Sequence, residues 1–459
     1  MVDAMMLHDL ILKEIEKHSQ TTSPHAPLRR IASGLASGDC LVCTTLCGGK
    51  TNYSFQVALK NEPTVRVFAK ACFSHPLWDN DGSFPFDFGR IDYEQTFLRD
   101  FALTFSGVAP VATPYFYVDL DSNAKLFVTE WSVADEQLVH QCTEGQVDVD
   151  VFRSVARALA KLHQYEGAPV EVNTLIRESL VHSLSGAQSV IYDAMSKLER
   201  DSRTYKLAET VGSMSSLLEN VVDSYSRQES LVHMDFHALN ILSRDEKICI
   251  VDWEMLMWGP RGVDPGKFMF LPLACALSHA VLGRRGETLS VYNAILAFWD
   301  EYVEAMDLSD DSLRSTFRDA VGWTGFTVFV FMYVAGVFRE VLPLEEASDV
   351  AAKKAIDSIG YVGLQLWCLG YGDVSESLSY GDLKHLFKLT ISRELESSLA
   401  NAAEAPRPRS AAQYHRVSDA SAYAEVARRT SLIQAPLASA PRRTSYVQRS
   451  AAVIPATSN

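Results

Sequence analysis

The amino-acid sequence predicts an α+β fold with two lobes, a small lobe built on an antiparallel sheet and a larger lobe that is mainly helical. Short strand-like runs separated by turn residues are concentrated before about residue 131, whereas apolar residues at helical spacing dominate from about residue 149 to residue 399. From residue 401 the composition shifts to alanine, serine, arginine and proline, which predicts a disordered tail. The expected segments are a leading helix with a linker (1–29), the N-terminal lobe (30–131), the C-terminal lobe (132–400) and the tail (401–459).

The N-terminal lobe is predicted from β-favouring runs that alternate with turns. Before it, apolar residues between Met5 and Ile15 recur at helical spacing and predict the leading helix. The first two strand-like runs flank a turn that contains Gly48 and Gly49, and residues 74–89 have the composition of a long loop. The elements expected in this lobe are strands Cys40–Leu46, Tyr53–Leu59 and Val65–Lys70, a helix Arg90–Phe101 and a last short strand Ala124–Thr129.

In the C-terminal lobe, the helical pattern is interrupted by a β-like stretch from Leu231 to Trp253. Val151–His163 has apolar side chains on one face, which predicts an amphipathic helix. The uncharged run Ala320–Phe338 has nearly the length of a membrane span. Because it is a single segment and contains three glycines, a buried helix is favoured, with a membrane span as the alternative.

Composition and charge restrict the function classes. The 459 residues carry a formal net charge of −15, which argues against nucleic acid as the main partner. Eight cysteines in a chain this long do not indicate a disulfide framework. Cys40, Cys43 and Cys47 lie close together, but no second Cys/His pair completes a zinc site, so free thiols are expected. The acidic residues near the N-terminus do not fit a signal or transit peptide, which predicts a cytoplasmic protein without a membrane partner.

The strongest chemical signal lies in the β-like stretch, where Asp235 is followed by Asn240 and then by Asp252 at the end of the next predicted strand. Phosphoryl transfer requires a carboxylate beside the attacking hydroxyl and oxygen ligands for Mg²⁺. Asp235 is therefore the candidate base, and Asn240, Asp252 and Glu254 are the candidate Mg²⁺ ligands. A hairpin whose polar residues only cap turns is the alternative, and the combined spacing favours catalysis.

Two supporting parts of a kinase site precede this stretch in the expected order. Lys70 ends an apolar run, from which its ammonium group can reach phosphate oxygens, and Glu94 lies on the following helix, where it can pair with that lysine. The turn with Gly48 and Gly49 can cover phosphates with backbone N–H groups, although it lacks the GxGxxG pattern. Because Lys70 and Glu94 precede the catalytic stretch in this order, a functional ion pair is favoured over two unrelated surface charges.

The pattern HxDxxxxN from His233 to Asn240, followed by Asp252-Trp253-Glu254 and by Asp264, resembles the aminoglycoside phosphotransferase and choline kinase superfamily over residues 30–400. The resemblance implies a protein-kinase-like fold that uses ATP and Mg²⁺ to phosphorylate a hydroxyl group of a small molecule. It also implies that ATP lies between the lobes. The ATP-binding residues that follow from it are Gly48, Gly49, Asn52, Lys70, Glu94, Glu130 and Trp131.

Within that superfamily the chain resembles the 5-methylthioribose kinase family. Trp258–Phe268 is similar to that family's GPxGFDxGxF segment, the Asp252-x-Glu254 pair to its metal motif, and Gly49–Phe55 to its glycine-rich turn. The resemblance implies a kinase of methionine salvage that phosphorylates the anomeric hydroxyl of 5-methylthioribose, and it implies a homodimer.

Three departures from the methylthioribose kinase pattern keep other acceptors open. Asn240 replaces a small residue, Met234 replaces a glycine, and Arg339 is followed by Glu340 instead of a second arginine. Asn240 is closer to the aminoglycoside and choline branches, so a choline-, ethanolamine- or aminoglycoside-type phosphotransferase is the alternative. A third possibility is a binding module with a kinase fold and no activity (a pseudokinase), which the intact catalytic residues disfavour. The residues expected to contact the substrate or to support the loop are His233, His237, Arg261, Asp264 and Arg339.

The tail repeats one tetrapeptide, at residues 428–431 and 442–445. Arg-Arg-x-Ser suits basophilic protein kinases, so Ser431 and Ser445 are predicted phosphorylation sites, with a chance repeat in a biased sequence as the alternative. The tail carries +5 and residues 1–400 carry −20. A basic tail is therefore expected to rest on the acidic body until phosphorylation releases it.

Overall fold

The computed structural model confirms the two-lobed α+β architecture, in which a lobe built on an antiparallel sheet precedes a mainly helical lobe. It describes residues 4–46, 52–74, 89–105, 111–121, 124–166, 191, 200, 202–211 and 214–404. The turn with Gly48 and Gly49, most of the predicted loop 74–89 and the tail with Ser431 and Ser445 lie outside the described residues. The expectations about those segments stay predictions.

The N-terminal lobe is built on an antiparallel sheet of five strands in the order β1-β2-β3-β5-β4. These strands are β1 (Leu41–Leu46), β2 (Tyr53–Leu59), β3 (Arg66–Phe73), β4 (Pro114–Asp121) and β5 (Ala124–Glu130). β3 continues past Lys70, so this lysine lies inside the strand, opposite Phe127 of β5, and does not end it as expected. β4 has no counterpart among the predicted strands, and register irregularities near both of its ends interrupt its pairing with β5.

Three helices accompany this sheet. α1 (Ala4–His18) is the predicted leading helix, and α2 (Ala26–Ala36) begins in the segment that was expected to be a linker. Pro27 lies in the first turn of α2, where a backbone N–H has no partner within the helix, so the proline is compatible with it. α3 (Arg90–Phe105) packs on β4 and on the short helical turn Trp253–Met255, and it thereby connects the two lobes.

The C-terminal lobe surrounds a large apolar core with helices. The described helices are α4 (Val139–Glu144), α5 (Val149–His163), α6 (Arg203–Val211), α7 (Met214–Ser224), α8 (Val263–Val281), α9 (Arg285–Met306), α10 (Asp310–Phe326), α11 (Asp349–Tyr371) and α12 (Tyr380–Glu404). Its short strands are β6 (Glu136–Gln137), β7 (Ser230–Val232), β8 (Ile241–Arg244), β9 (Lys247–Ile250) and β10 (Met257–Gly259). β8 pairs with β6 and β9, and β7 pairs with β10, so the connections β7–β8 and β9–β10 carry the candidate catalytic residues.

The uncharged run Ala320–Phe338 is largely buried, as expected, but it is not one continuous α-helix. Its first part belongs to α10, and Thr327–Val334 continues as a π-helix. After the π-helix ends, Gly336 and Phe338 have left-handed φ values of 72° and 64°, and the chain leaves the helical path there. Within the described parts of the chain, none of the helices combines the length and the apolar character that crossing a membrane requires.

Two glycines of this run allow α10 to approach α11 closely. A Cβ atom on Gly325 would lie 2.1 Å from the backbone nitrogen of Trp367 and 2.6 Å from the carbonyl oxygen of Gly363. A Cβ atom on Gly322 would lie 2.4 Å from the ring of Tyr371. The glycines are therefore explained by helix packing.

Gly325→Ala should lower the free energy of unfolding by about 3 kcal/mol, because the added methyl group would meet backbone atoms of α11. Gly286→Ala is the matched control, since a Cβ atom at that position in α9 would meet no atom within 4 Å. Urea unfolding followed by circular dichroism measures both variants. Equal unfolding midpoints would contradict the close packing of α10 on α11.

Candidate active site

One buried carboxylate holds the loop between β7 and β8. Asp264, in the first turn of α8, accepts hydrogen bonds from the backbone N–H groups of His233 (2.7 Å) and Met234 (2.9 Å). His163 Nε2 lies 3.1 Å from the same carboxylate. Met234 has a left-handed φ of 66°, which explains why a glycine suits this position and why the chain turns sharply directly before Asp235. The structure thus places Asp264 against the loop that it was expected to support.

Asp235 lies on this loop with a partly exposed carboxylate. The side-chain amide of Asn240 donates to Asp235 Oδ2 (3.1 Å) and to its carbonyl oxygen (2.9 Å), and His237 Nε2 lies 3.4 Å from Oδ2. Burial alone would raise the pKa of Asp235. The neighbouring His237, Lys267 and His233 outweigh burial and hold this pKa well below its usual range. Asp235 is therefore ionised, which is the state that a proton acceptor requires.

Aromatic rings surround the histidine beside Asp235. His237 is buried, and its ring centroid lies 6.2 Å from that of Phe270 and 5.5 Å from that of Phe338. Its Nδ1 atom is buried without a hydrogen-bond partner among the described residues. His233 is also buried, and its Nε2 atom lies 3.1 Å from the carbonyl oxygen of Val251. His233 thus joins the two connections that carry the candidate catalytic residues, whereas His237 lies directly beside Asp235.

A second cluster forms around the buried ammonium group of Lys70. Its Nζ atom lies 2.8 Å from Glu94, 2.5 Å from Asp252 and 3.2 Å from Glu254. Burial alone would lower the pKa of Lys70, but the three carboxylates together raise it well above its usual value. Glu94 also accepts a hydrogen bond from the backbone N–H of Trp253 (3.0 Å). Residues from β3, α3 and the β9–β10 connection are thereby brought together.

Arg90 and Asn52 extend this cluster toward the start of β2. Glu254 is buried and accepts a hydrogen bond from the Asn52 amide (2.9 Å), and Arg90 Nε lies 3.5 Å from the same carboxylate. The fully buried Arg90 also donates to the Asn52 side-chain oxygen and to the Phe73 carbonyl oxygen, each at 3.4 Å. Asn52, directly before β2, therefore connects the N-terminal sheet to the candidate metal ligands.

The residues of this cluster fit a divalent cation. One oxygen from each of Glu94, Asp252 and Glu254 lies within 4.8 Å of the others, and Mg²⁺ prefers such oxygen ligands. Three carboxylates face two cations, Lys70 and Arg90, which leaves the cluster with a net negative charge. The remaining negative charge would attract a divalent metal ion.

Asn240 is the remaining candidate metal ligand. The backbone carbonyl oxygen of Asn240 accepts a hydrogen bond from the backbone N–H of Val251 (3.0 Å). Asn240 therefore lies beside the end of β9, which is followed by Asp252. The side-chain amide nitrogen of Asn240 donates a hydrogen bond to Asp235, so the side-chain amide oxygen can bind a metal ion. The zinc alternative gains no support, since Cys40 and Cys43 have free thiols and Cys47 lies outside the described residues.

Glu130 and Trp131, which are expected to bind ATP, lie where β5 ends. Glu130 is exposed and accepts a hydrogen bond from the Thr113 hydroxyl (2.8 Å). The Arg66 guanidinium lies 4.4 Å from the centroid of the Trp131 ring, and Trp131 Nε1 donates to Asp135 (3.4 Å). These two residues therefore lie at the junction of the lobes.

Two arginines expected on the substrate side bond elsewhere. The guanidinium group of Arg261 donates to the carbonyl oxygen of Glu229 (3.4 Å), and its backbone N–H donates to the Glu229 carboxylate (3.0 Å). Arg339 donates to the carbonyl oxygens of Met332 (2.8 Å) and Tyr333 (2.5 Å), which closes the end of the π-helix. The described structure does not bring either guanidinium group into contact with Asp235.

The structure adds two cations to the residues that the sequence analysis assigned to the site. Arg90 carries a signal in the sequence, because it begins the helix that carries Glu94. Lys267 donates a hydrogen bond to the carbonyl oxygen of Met234, the residue before Asp235. Its only sequence signal is a position three residues after Asp264, since its contact with the loop depends on how α8 packs.

Comparisons with known proteins identify one matching family and several partial relatives. The model of the phosphotransferase enzyme family matches residues 64–301, which is more than half of the chain. A methylthioribose kinase of Geobacillus thermodenitrificans is 34% identical over 110 residues, covering 21% of this chain and 28% of that protein. A methylthioribose kinase of Bacillus velezensis is 31% identical over 111 residues, covering 21% and 27%. The chain thus matches little more than a quarter of the length of these relatives.

Solved structures with a similar fold include two small-molecule kinases. An amicoumacin kinase in complex with AMP-PNP, Ca²⁺ and Ami has a TM-score of 0.38 and 13% identity, covering 75% of this chain and 91% of that chain. A choline kinase from Cryptosporidium parvum has a TM-score of 0.36 and 14% identity, covering 86% and 99%.

Asp264→Asn should lower the free energy of unfolding by about 2 kcal/mol, because an amide NH₂ group would face a backbone N–H donor of the loop. Hydrogen exchange of the His233 and Met234 amides should accelerate, and mass spectrometry measures this change. Asp300→Asn is the control, since that carboxylate is 53% exposed on α9. Unchanged protection of the two amides would refute the role of Asp264 in holding the loop.

Proposed function

The chain belongs to the phosphotransferase enzyme family, and from this premise we propose that it is an ATP-dependent kinase that phosphorylates a hydroxyl group of a small molecule. One observation carries the proposal. The Lys70 ammonium is bonded to Glu94 of α3 and to Asp252 after β9, while Asp235 and Asn240 lie on the adjacent β7–β8 connection. This arrangement of a lysine, two metal-binding connections and an ionised base supports phosphoryl transfer.

Each of these residues has a distinct role in the proposed reaction. Asp235 orients the acceptor hydroxyl and accepts its proton, and the Asn240 amide holds the Asp235 carboxylate in place. Lys70 binds phosphate oxygens, and Glu94 positions its ammonium group. Asn240, Asp252 and Glu254 would hold Mg²⁺, which neutralises phosphate charge when it is bound. The turn with Gly48 and Gly49 is proposed to cover the phosphates.

The charges near Asp235 support a neutral acceptor, and we propose 5-methylthioribose. The groups that act most strongly on Asp235 are His237, Lys267 and His233, which are neutral or positive. A cationic acceptor such as choline or an aminoglycoside would instead require acidic and aromatic walls. The similarity to methylthioribose kinases, in which about a third of the matched residues are identical to this chain, supports the same sugar.

A choline-, ethanolamine- or aminoglycoside-type acceptor is the second candidate. Asn240 favours it, because this residue bonds Asp235 at a position where methylthioribose kinases usually have a small side chain. A pseudokinase is disfavoured, since Lys70, Asp235, Asn240 and Asp252 are all in place. A homodimer, a cytoplasmic location and phosphorylation of Ser431 and Ser445 stay predictions from the sequence.

Asp235→Ala should lower kcat by about a thousandfold while nucleotide affinity changes little, because only the acceptor loses its proton-accepting partner. Asp252→Ala should in addition weaken Mg·ATP binding, since it removes a metal ligand. Asp223→Ala, on the exposed surface of α7, is the control. Steady-state turnover and calorimetric nucleotide titration measure these effects, and full activity of Asp235→Ala would exclude the mechanism.

An acceptor panel decides between the candidate substrates. We expect kcat/KM for 5-methylthioribose to exceed that for choline, ethanolamine and an aminoglycoside by about 100-fold, because positive charge near Asp235 repels cationic acceptors. Coupled ADP release measures the rates, and phosphorus NMR identifies the phosphorylated hydroxyl. Faster turnover of choline or the aminoglycoside would replace methylthioribose by the second candidate.

A further inference from the structure

Lys267 is a cation beside the candidate base that the proposed mechanism leaves unused. It lies near the start of α8, and its Nζ atom donates to the carbonyl oxygen of Met234. The same atom lies 5.8 Å from the centroid of the Trp323 ring. The side chain therefore reaches from α8 to the loop directly before Asp235.

The ammonium group of Lys267 has no carboxylate within ion-pair distance among the described residues. Asp235 and Asp264 act on it from longer range, and Asp264 is already engaged by two backbone N–H groups. Burial lowers the pKa of Lys267, and these two acids offset this only in part. A half-buried cation without a carboxylate partner is costly, and an anionic ligand at this position would compensate the cost.

The position of Lys267 restricts the anion that it can bind. An acceptor hydroxyl must lie against Asp235, and the carbonyl oxygen that Lys267 contacts belongs to the preceding residue. The group that reaches the hydroxyl during the proposed reaction is a phosphoryl group, which is anionic. Lys267 and Asp235 act on each other electrostatically, so an anionic phosphoryl group at a hydroxyl held by Asp235 would also be attracted by the Lys267 ammonium group.

We propose that Lys267 is a further catalytic residue, whose ammonium group binds an oxygen of the phosphoryl group while it passes to the acceptor held at Asp235. The inference rests on the proposed kinase function, but it does not depend on which acceptor is used. In addition to binding this oxygen, Lys267 offsets the repulsion between the Asp235 carboxylate and the incoming phosphoryl group.

The step balances as a single displacement. A bond forms between the γ-phosphorus and the acceptor oxygen, and the bond between that phosphorus and the β–γ bridging oxygen breaks. The acceptor proton passes to Asp235, and ADP leaves with the electron pair of the broken bond. The Lys267 ammonium group, which is half-buried, would stabilise the negative charge on the transferred oxygens during this displacement.

The test compares Lys267→Met, which removes the charge, with Lys267→Arg, which retains it, in the full chain. Calorimetry measures Mg·ADP affinity with and without aluminium fluoride, which mimics the transferring phosphoryl group, and a second assay measures Mg²⁺-dependent ATP turnover without an acceptor. We expect Lys267→Met to lose the tightening by aluminium fluoride and about 100-fold in turnover. Affinity for Mg·ADP alone should change by less than about threefold, and Lys267→Arg should restore part of both losses.

Lys384→Met is the matched control. Lys384 Nζ also lies 5.8 Å from an aromatic centroid, that of Tyr380, but it pairs with Asp300 at 2.7 Å on the surface of α12, so both readouts should be unchanged. Lys267→Met with retained turnover and retained tightening by aluminium fluoride would overturn the inference. A parallel loss of melting temperature and Mg·ADP affinity, with the tightening intact, would show a structural role and overturn it as well. Absence of nucleotide binding and turnover in the unaltered protein would instead refute the kinase function, and this inference with it.

Discussion

The attraction between the Lys70 ammonium and three carboxylates is the interaction on which the geometry of the site depends. Lys70 comes from the sheet of the N-terminal lobe, Glu94 from α3, and Asp252 and Glu254 from the β9–β10 connection of the C-terminal lobe. Without this cation, carboxylate oxygens within 4.8 Å of one another would repel. Burial makes the cost of losing one partner larger, about 3–5 kcal/mol for a buried ion pair. The same contacts that hold the lobes together therefore place the candidate phosphate- and metal-binding groups.

Each of the two connections that carry the candidate catalytic groups contains a residue with a strained backbone conformation. Met234 and Asp252 both have left-handed conformations, with φ of 66° and 68°. Each such residue costs of order 1–3 kcal/mol, so surrounding bonds must hold it. Asp264 holds the first connection through two backbone N–H groups, and Glu94 accepts the N–H of Trp253 directly after Asp252. The strain turns the Asp235 and Asp252 side chains out of regular strands.

The two sides of the site differ in charge. Around Lys70 the carboxylates outnumber the cations, which suits a metal ion with phosphates. Around Asp235 the strongest neighbours are His237 and Lys267, and aromatic rings pack on His237. This difference separates the proposed metal-binding function from the proposed acceptor-binding function. It also explains why the −20 charge of residues 1–400 says little about the acceptor, since total charge does not reveal how charges are distributed within one site.

The sequence by itself determined the two-lobed architecture, most strands of the N-terminal sheet and the grouping of Asp235 with Asn240, because alternation, helical spacing and loop motifs are local patterns. β4, the π-helix after α10 and the position of Lys70 inside β3 were decided by pairing and packing with distant segments. The tertiary structure also decided which charges meet. Lys70 and Asp252 are 182 residues apart, and Lys267 lies 33 residues from the carbonyl group that it contacts. Residue type establishes that a side chain can form an ion pair, whereas the path of the folded chain selects its partner.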